Sequence, residues 1–239
     1  MRDRWKTKKF AQILALLLVV YLGISMIICR RPSVVYVSDD FDVTDTLTDL
    51  INKSDVIVVG KYISNVYDSW NMARSMEDIS KEDRYHYSEG HLYKFDVEQV
   101  LKGKVEQIIT INIPYKRNGY INTSSGNISE QGLTDDKILL KEIHSIDPLY
   151  IKPDVEKKYV LFLSYDSFFD YYYGSTEPYR IIIDDDNNLS IESNLLSDST
   201  IGDVIEYDKE KFVIYHNNTR ISDFISDVNL NELVNLMGN

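Results

Sequence analysis

Two histidines and a carboxylate, His86, Glu89 and His91, fall within the hexapeptide HYSEGH. Two imidazoles and one carboxylate are donor types that zinc takes. Their spacing is not the H-E-x-x-H of a metalloprotease helix, and Gly90 argues against a helix presenting both rings on one face. The group therefore reads as surface-loop histidines. His144 and His216 stand isolated in the sequence.

A second candidate is the run Asp184-Asp185-Asp186-Asn187-Asn188. Asp184, Asp186, Asn188 and Ser190 occupy the first, third, fifth and seventh slots of an EF-hand-like calcium loop. Leu189 stands where the sharp bend needs glycine, and Leu195 where a bidentate glutamate closes the coordination shell. Between YRIII and LSIES the run reads more simply as a hairpin turn, because Asp and Asn tolerate the conformations that turns require.

Nucleophile logic finds nothing. There is no G-x-S-x-G, P-loop or G-x-G-x-x-G, and the single cysteine is Cys29. The sequence thus singles out no catalytic, cofactor-binding or metal-ligating residue and calls for no cofactor. The densest aromatic stretch is Phe168, Phe169, Tyr171, Tyr172 and Tyr173. In a strand its side chains alternate, one face packing inward and the other free to form a binding surface.

The elements that must position these groups are mostly strands. Thr44, Asp45 or Thr46 caps a first helix, in which Leu47, Leu50 and Ile51 fall at helical spacing before Lys53. Residues 55–67, rich in β-branched residues, form a strand. The polar segment 68–90 reads as an excursion with one helical turn. In 91–101, Leu92, Lys94, Asp96 and Glu98 alternate against Tyr93, Phe95 and Val97, the period of a half-buried strand. Lys102-Gly103-Lys104 turns the chain into a return strand over 107–115. Residues 117–135 read as a flexible loop, and 136–147 as a short helix or a strand. The most apolar run outside the N-terminus, 157–166, is the core strand. Short β pieces follow at 171–174, 179–183 and 189–192, then a hairpin at 204–207 and 212–215. Residues 221–237 suggest an amphipathic helix or a pair of short ones.

All of this follows a 20-residue run without a charge, Phe10 to Cys29. At 1.5 Å per residue a helix of that length covers roughly 30 Å, the thickness of a bilayer's hydrocarbon core. Arg2, Arg4, Lys6, Lys8 and Lys9 precede it and only Arg30 and Arg31 follow, so the N-terminus is expected inside. The expected organisation is a basic cytoplasmic tail (1–9), a transmembrane signal anchor (10–29), a tether (30–43) and an extracytoplasmic β-rich domain with a C-terminal helix (44–239). A cleaved signal peptide is the alternative to the anchor, as is a lipoprotein lipidated at Cys29. Against the latter, Ile28 sits where a small residue is normally required.

Beyond residue 31 the chain carries 19 basic and 37 acidic residues, a net charge of −18. Such a surface repels phosphate backbones, which argues against nucleic-acid binding. With no cysteine there, disulfides are excluded and an apolar core must hold the domain. The abundance of Ile, Lys, Asn, Asp and Tyr is that of an AT-rich bacterial genome.

The segments SDVIVVGKYISNVY (54–67), YKFDVEQVLKGK (93–104) and VEKKYVLFLSY (155–165) resemble the strand series of tissue-inhibitor-of-metalloproteinase and netrin-like domains and their cysteine-free bacterial relatives. The resemblance implies a mainly β fold, an OB-like β-barrel with extra hairpins and flanking helices, here preceded by a single transmembrane helix. In the animal inhibitors a free N-terminal cysteine chelates the protease metal. Here no cysteine lies at the corresponding position, so that chemistry is not carried over.

The expected function is that of a non-catalytic binding or interaction domain at the bacterial cell surface. It would be held to the membrane by one span and meet another envelope protein or a cell-wall polymer. The alternative is an envelope hydrolase with a dispersed acidic or histidine site.

Overall fold

The computed structural model describes residues 33–37, 41–64, 67–122, 127–129, 140–196, 202–207, 210–216 and 220–237. Over 33–37, 117–122, 127–129, 140–144, 202–207 and 210–216 it describes the backbone alone. The expected membrane anchor, 10–29, lies outside the described residues, and among those no helix is long and apolar enough to cross a membrane. In chain order the elements are β1 (Ser33–Val37), α1 (Leu47–Lys53), β2 (Val56–Tyr62), β3 (Asp68–Asn71), β4 (Glu89–Lys102), β5 (Ile108–Asn122), β6 (Asn127–Ser129) and β7 (Leu140–Ile146). They continue with β8 (Lys158–Asp166), β9 (Tyr171–Gly174), β10 (Arg180–Ile183), β11 (Leu189–Ile191), β12 (Gly202–Tyr207), β13 (Glu210–His216) and α2 (Leu230–Met237).

Five of these strands close a barrel. β2 pairs antiparallel with β4 on one edge and with β8 on the other. β4 continues antiparallel into β5, which meets β9 in parallel at Ile111 and Tyr172. β9 returns antiparallel to β8, so the ring runs β2-β4-β5-β9-β8 and back to β2. This closed five-strand barrel is consistent with the OB-like expectation.

Strand periodicity fills the barrel. On β4, His91, Tyr93, Phe95 and Val97 are buried while Lys94 and Glu98 are exposed, and Ile109, Ile111 and Ile113 of β5 answer them from across the ladder. Val56 to Val59 of β2 are buried in succession, which is why that strand shows an unbroken apolar run instead of alternation.

α1 forms where its cap predicts. The Thr46 side chain accepts the Asp49 N–H at 3.2 Å. At its other end the Lys102 ammonium donates to the carbonyls of Ile51 and Ser54, at 2.8 and 2.7 Å, which ties the helix to the end of β4. Gly103 follows with φ +83°, the left-handed conformation that the turn between β4 and β5 requires.

Several elements depart from expectation. Residues 68–90 contain no helical turn; β3 pairs with β4, and the backbones of Arg74 and Glu82 form an isolated antiparallel β-bridge. β5 runs on to Asn122 and pairs with β6 and β7, so the front of the expected 117–135 loop is strand. Of the expected short helix or strand over 136–147, Leu140–Ile146 is strand, β7, and 136–139 lie outside the described residues. The C-terminal segment is helical only over Leu230–Met237, capped by reciprocal bonds between Asn229 and Glu232, whereas Ile221 and Ile225 are buried without helix. Ser33–Val37 are extended and pair in parallel with β13, which carries β12 on its other edge as a three-stranded sheet.

One edge of β8 is shared. Its first half, Lys158–Leu161, pairs with β10, and its second half, Leu163–Asp166, pairs with β9. The chain from Gly174 to Arg180 bridges this fork, and β11 extends β10 outward.

Candidate binding face and cavity

The HYSEGH residues do not converge. His86 stays on the loop, its Nδ1 3.0 Å from Asp83. His91 corrects the surface-loop expectation. β4 begins at Glu89, so its period of two places His91 in phase with Tyr93 and Phe95, and the imidazole is 1 % exposed at the barrel's end. It stacks between Tyr67 at 3.6 Å and Tyr115 at 4.0 Å, and its Nε2 lies 3.1 Å from Glu89 Oε1. Its Nδ1 is buried without a partner. Burial holds the ring's pKa below the ordinary 6.5, against the pull of Glu89. Beside it the hydroxyls of Tyr93 and Tyr150 meet at 3.0 Å. His144 and His216 lie on β7 and β13, and their side chains are outside the described residues.

Asp184 closes the β10–β11 turn. Its Oδ1 accepts the N–H groups of Asp186 and Asn188, at 2.9 and 2.8 Å, and its Oδ2 the Asn188 side chain at 3.0 Å. Asn187 takes φ +64°, as the hairpin reading of this run requires. No group of three or more metal-donor side chains comes together among the described residues.

The aromatic stretch does assemble into something. Phe169 and Tyr171 stack at 6.0 Å, Tyr171 meets Tyr173 edge-on at 6.4 Å, and Trp70 from β3 packs on both Phe169 and Tyr171, at 5.3 and 5.4 Å. The Arg74 guanidinium lies 4.6 Å from the Trp70 and Phe169 ring centres alike. Tyr172 points the other way and packs on Tyr165, so alternation along β9 divides the run as expected. Trp70 is seated by a 2.9 Å hydrogen bond from its Nε1 to Asn112 Oδ1 on β5. That seat depends on Gly90, where a Cβ would stand 2.6 Å from Trp70 Nε1 and 2.7 Å from Met72 Sδ. Asn71 shapes the rest of the loop, accepting the N–H groups of Ala73 and Ser88 at 3.0 Å each. Two connections, β2 to β4 and β8 to β9, therefore build one ladder of rings from Arg74 to Tyr173.

The ladder ends at a partly open cavity of about 200 Å³ in the fork between β9 and β10. Phe41, Ile113, Leu149, Tyr173 and Tyr179 wall it, and among the described residues its charged lining, Asp42, Asp147 and Glu177, is all acidic. Glu177 is 7 % exposed and accepts the Ser193 hydroxyl at 2.8 Å. Burial pushes its pKa up to about 7, Asp147 pushes the same way, and Ser193 and Arg180 oppose them.

Arg180 lies behind the cavity wall, 1 % exposed. Its Nη1 donates to the Ile151 carbonyl at 2.7 Å and lies 3.7 Å from Glu192 Oε2, and its guanidinium sits 5.2 Å over the Tyr179 ring. Burial works against its charge, but Tyr179, Tyr62, Glu192 and Glu177 more than offset this and hold it protonated.

Chemically, the ring ladder offers stacking area and one cation, and the cavity offers aromatic walls with carboxyl groups. Sequence reasoning misplaced His91 on a surface loop and missed Trp70, Glu177 and Arg180. For His91 the signal was its phase with Tyr93. For Glu177 and Arg180, which stand at no motif and whose partners Ser193, Ile151 and Glu192 come from other segments, the sequence held none. No family model, curated protein or solved structure matches the chain.

Proposed function

We propose that this chain is a membrane-anchored, extracytoplasmic binding protein of the bacterial cell surface, and that its β-barrel domain engages another envelope protein through the ladder Trp70, Phe169, Tyr171 and Tyr173. Support for the anchor comes from the uncharged run Phe10–Cys29 and its basic flank. Lipid on Cys29 is the alternative attachment, and intact-mass measurement distinguishes the two. The barrel is OB-like in this reading. Its ring order and its one parallel pairing support that, and β2, β4 and β8 coincide with the segments resembling netrin-like domains.

In OB folds the face of the second and third strands, bracketed by the first-to-second and fourth-to-fifth strand loops, is where ligands bind. Trp70 and Phe169 come from the two corresponding connections. That coincidence is the observation that carries the proposal. Trp, Tyr and Arg are also the residue types on which protein interfaces concentrate their binding energy, which favours a protein over a polymer.

Membranes solubilised from cells carrying the full chain, affinity-purified with wild type and with Trp70→Ala, test it. A partner recovered reproducibly with wild type and lost with the variant supports the proposal. Retention on isolated cell wall with no protein partner would replace it by the polymer reading.

A second reading has one specific observation in its favour. A carboxyl lifted to about 7 in an apolar cavity, with a second carboxyl lining the same space, is the pattern of a general acid beside a charged partner. An envelope hydrolase using Glu177 and Asp147 would lose its activity in Glu177→Gln, whereas a binding domain has none to lose.

A further inference from the structure

We infer that the cavity in the β9–β10 fork is a binding site for an organic cation, an ammonium group carried on an apolar stem. This rests on the binding role proposed above and names the chemistry that one part of the face selects.

Size sets the first limit. An apolar cavity of about 150 Å³ holds a benzene, so the 200 Å³ here accommodates roughly six to eight non-hydrogen atoms. That is a side-chain end or a small ligand, not a polymer segment. The walls set the second. Phe41, Tyr173 and Tyr179 contribute three rings, with Ile113 and Leu149 between them. Ring faces attract cations, and a cage of aromatics is how quaternary ammonium groups are recognised.

Charge sets the third. Among the described residues no lysine or arginine lines the cavity, and its acids are Asp42, Asp147 and Glu177. Lys53 answers Asp42 from the exposed rim at 2.8 Å. Arg180 is not among the lining residues; its guanidinium sits 5.2 Å over the Tyr179 ring and already serves Ile151 and Glu192. An anionic guest would therefore meet three acids, with Lys53 already engaged at the rim and Arg180 already paired with Glu192. A neutral apolar guest would gain apolar burial against the walls but would complete the desolvation of Glu177 without pairing its carboxyl. An ammonium group gains from both the rings and the carboxyl groups.

The ladder gives the site its context. Tyr173 is at once the last ring of the ladder and a wall of the cavity. A partner lying along Trp70 and Tyr171 would deliver a lysine side chain into the fork, and a free ammonium compound would enter the same space alone.

Titration calorimetry on the full chain in detergent tests the assignment with three probes: choline, its uncharged isostere with a quaternary carbon in place of nitrogen, and a short peptide with one central lysine. Choline or the lysine peptide is expected to bind saturably, and the isostere about tenfold more weakly or not at all. The stronger of the first two identifies the source of the cation. Glu177→Gln, which keeps an acceptor for Ser193, and Tyr173→Ala, at a residue already 41 % exposed, are each expected to weaken binding about tenfold. Equal binding of choline and its isostere, no saturable binding of either cation, or unchanged binding in both variants would overturn it. Trp70→Ala separates this from the wider proposal, since it should cost partner binding and leave ammonium binding intact.

Discussion

Ser193 donates its hydroxyl to Oε2 of Glu177 at 2.8 Å, and this bond opposes the burial that lifts the carboxyl to about 7. A carboxyl raised from 4.5 to about 7 keeps a proton in the folded chain that the unfolded chain has already released. Its stabilising contribution is therefore fully present below pH 4.5 and is lost as pH rises towards 7, a fall of about 3 kcal/mol at 1.36 kcal/mol per unit. Urea unfolding across that range should show a slope in wild type that is much reduced in Glu177→Gln. Parallel slopes in the two proteins would show that Glu177 ionises normally.

His91 should act with the opposite sign. Burial depresses its pKa, so the neutral ring stabilises the fold above the ordinary value of 6.5, and this is lost as pH falls through the lower folded value. Its imidazole resonances are expected to titrate below 6.5, while the barrel stays folded. His91→Phe preserves the stack with Tyr67 and Tyr115 and removes the dependence, leaving Glu89 without its contact. A midpoint at or above 6.5 would contradict the burial described.

Gly90 and Gly60 should respond differently to the same change. At Gly90 an added Cβ meets the side chains of Asn112, Trp70 and Met72, which can shift at a cost of about 1–2 kcal/mol, while displacing Trp70 from its seat. At Gly60 it runs into the Asp96 backbone carbonyl and the Phe95 ring, where β2 crosses β4 beside a bulge. Gly60→Ala is thus expected to cost more than about 3 kcal/mol or to prevent folding. Gly90→Ala should stay folded, with shifted tryptophan emission and weakened partner binding. Equal destabilisation in chemical denaturation would place both glycines in the same role, against the structure.

Much of the barrel is legible in the sequence because its strands obey simple rules. Thr46 caps α1, the alternation of Tyr93, Phe95 and Val97 fixes the inner face of β4, and Asp184 to Asn188 turn β10 into β11. Closure is anticipated only through the family resemblance and by no local pattern. It depends on the parallel contact between Ile111 and Tyr172, residues far apart in the chain that no local pattern joins. The cavity is hidden for the same reason, since it exists only because β8 divides one edge between two partners. Arg180 falls inside the expected β piece 179–183 with nothing to mark it as buried, and Ile151, Tyr179 and Glu192 make its burial tolerable. The ring ladder was half visible: the aromatic run announced itself, but its partner Trp70 lay in a polar excursion that gave no sign of pairing with β4.

The central claim, that the ladder is where this protein meets its partner, is tested most directly by site-specific photo-crosslinking of the full chain in its own membranes. A photoreactive residue replaces Phe168, exposed at the ladder's edge with its ring 4.6 Å from that of Phe169, or Tyr173 in turn, with Asp185, in the β10–β11 turn, as the control position. One discrete adduct from Phe168 and Tyr173, absent from Asp185 and abolished by Trp70→Ala, is the expected result. No adduct from either ladder position, or the same adduct from Asp185, would contradict the account.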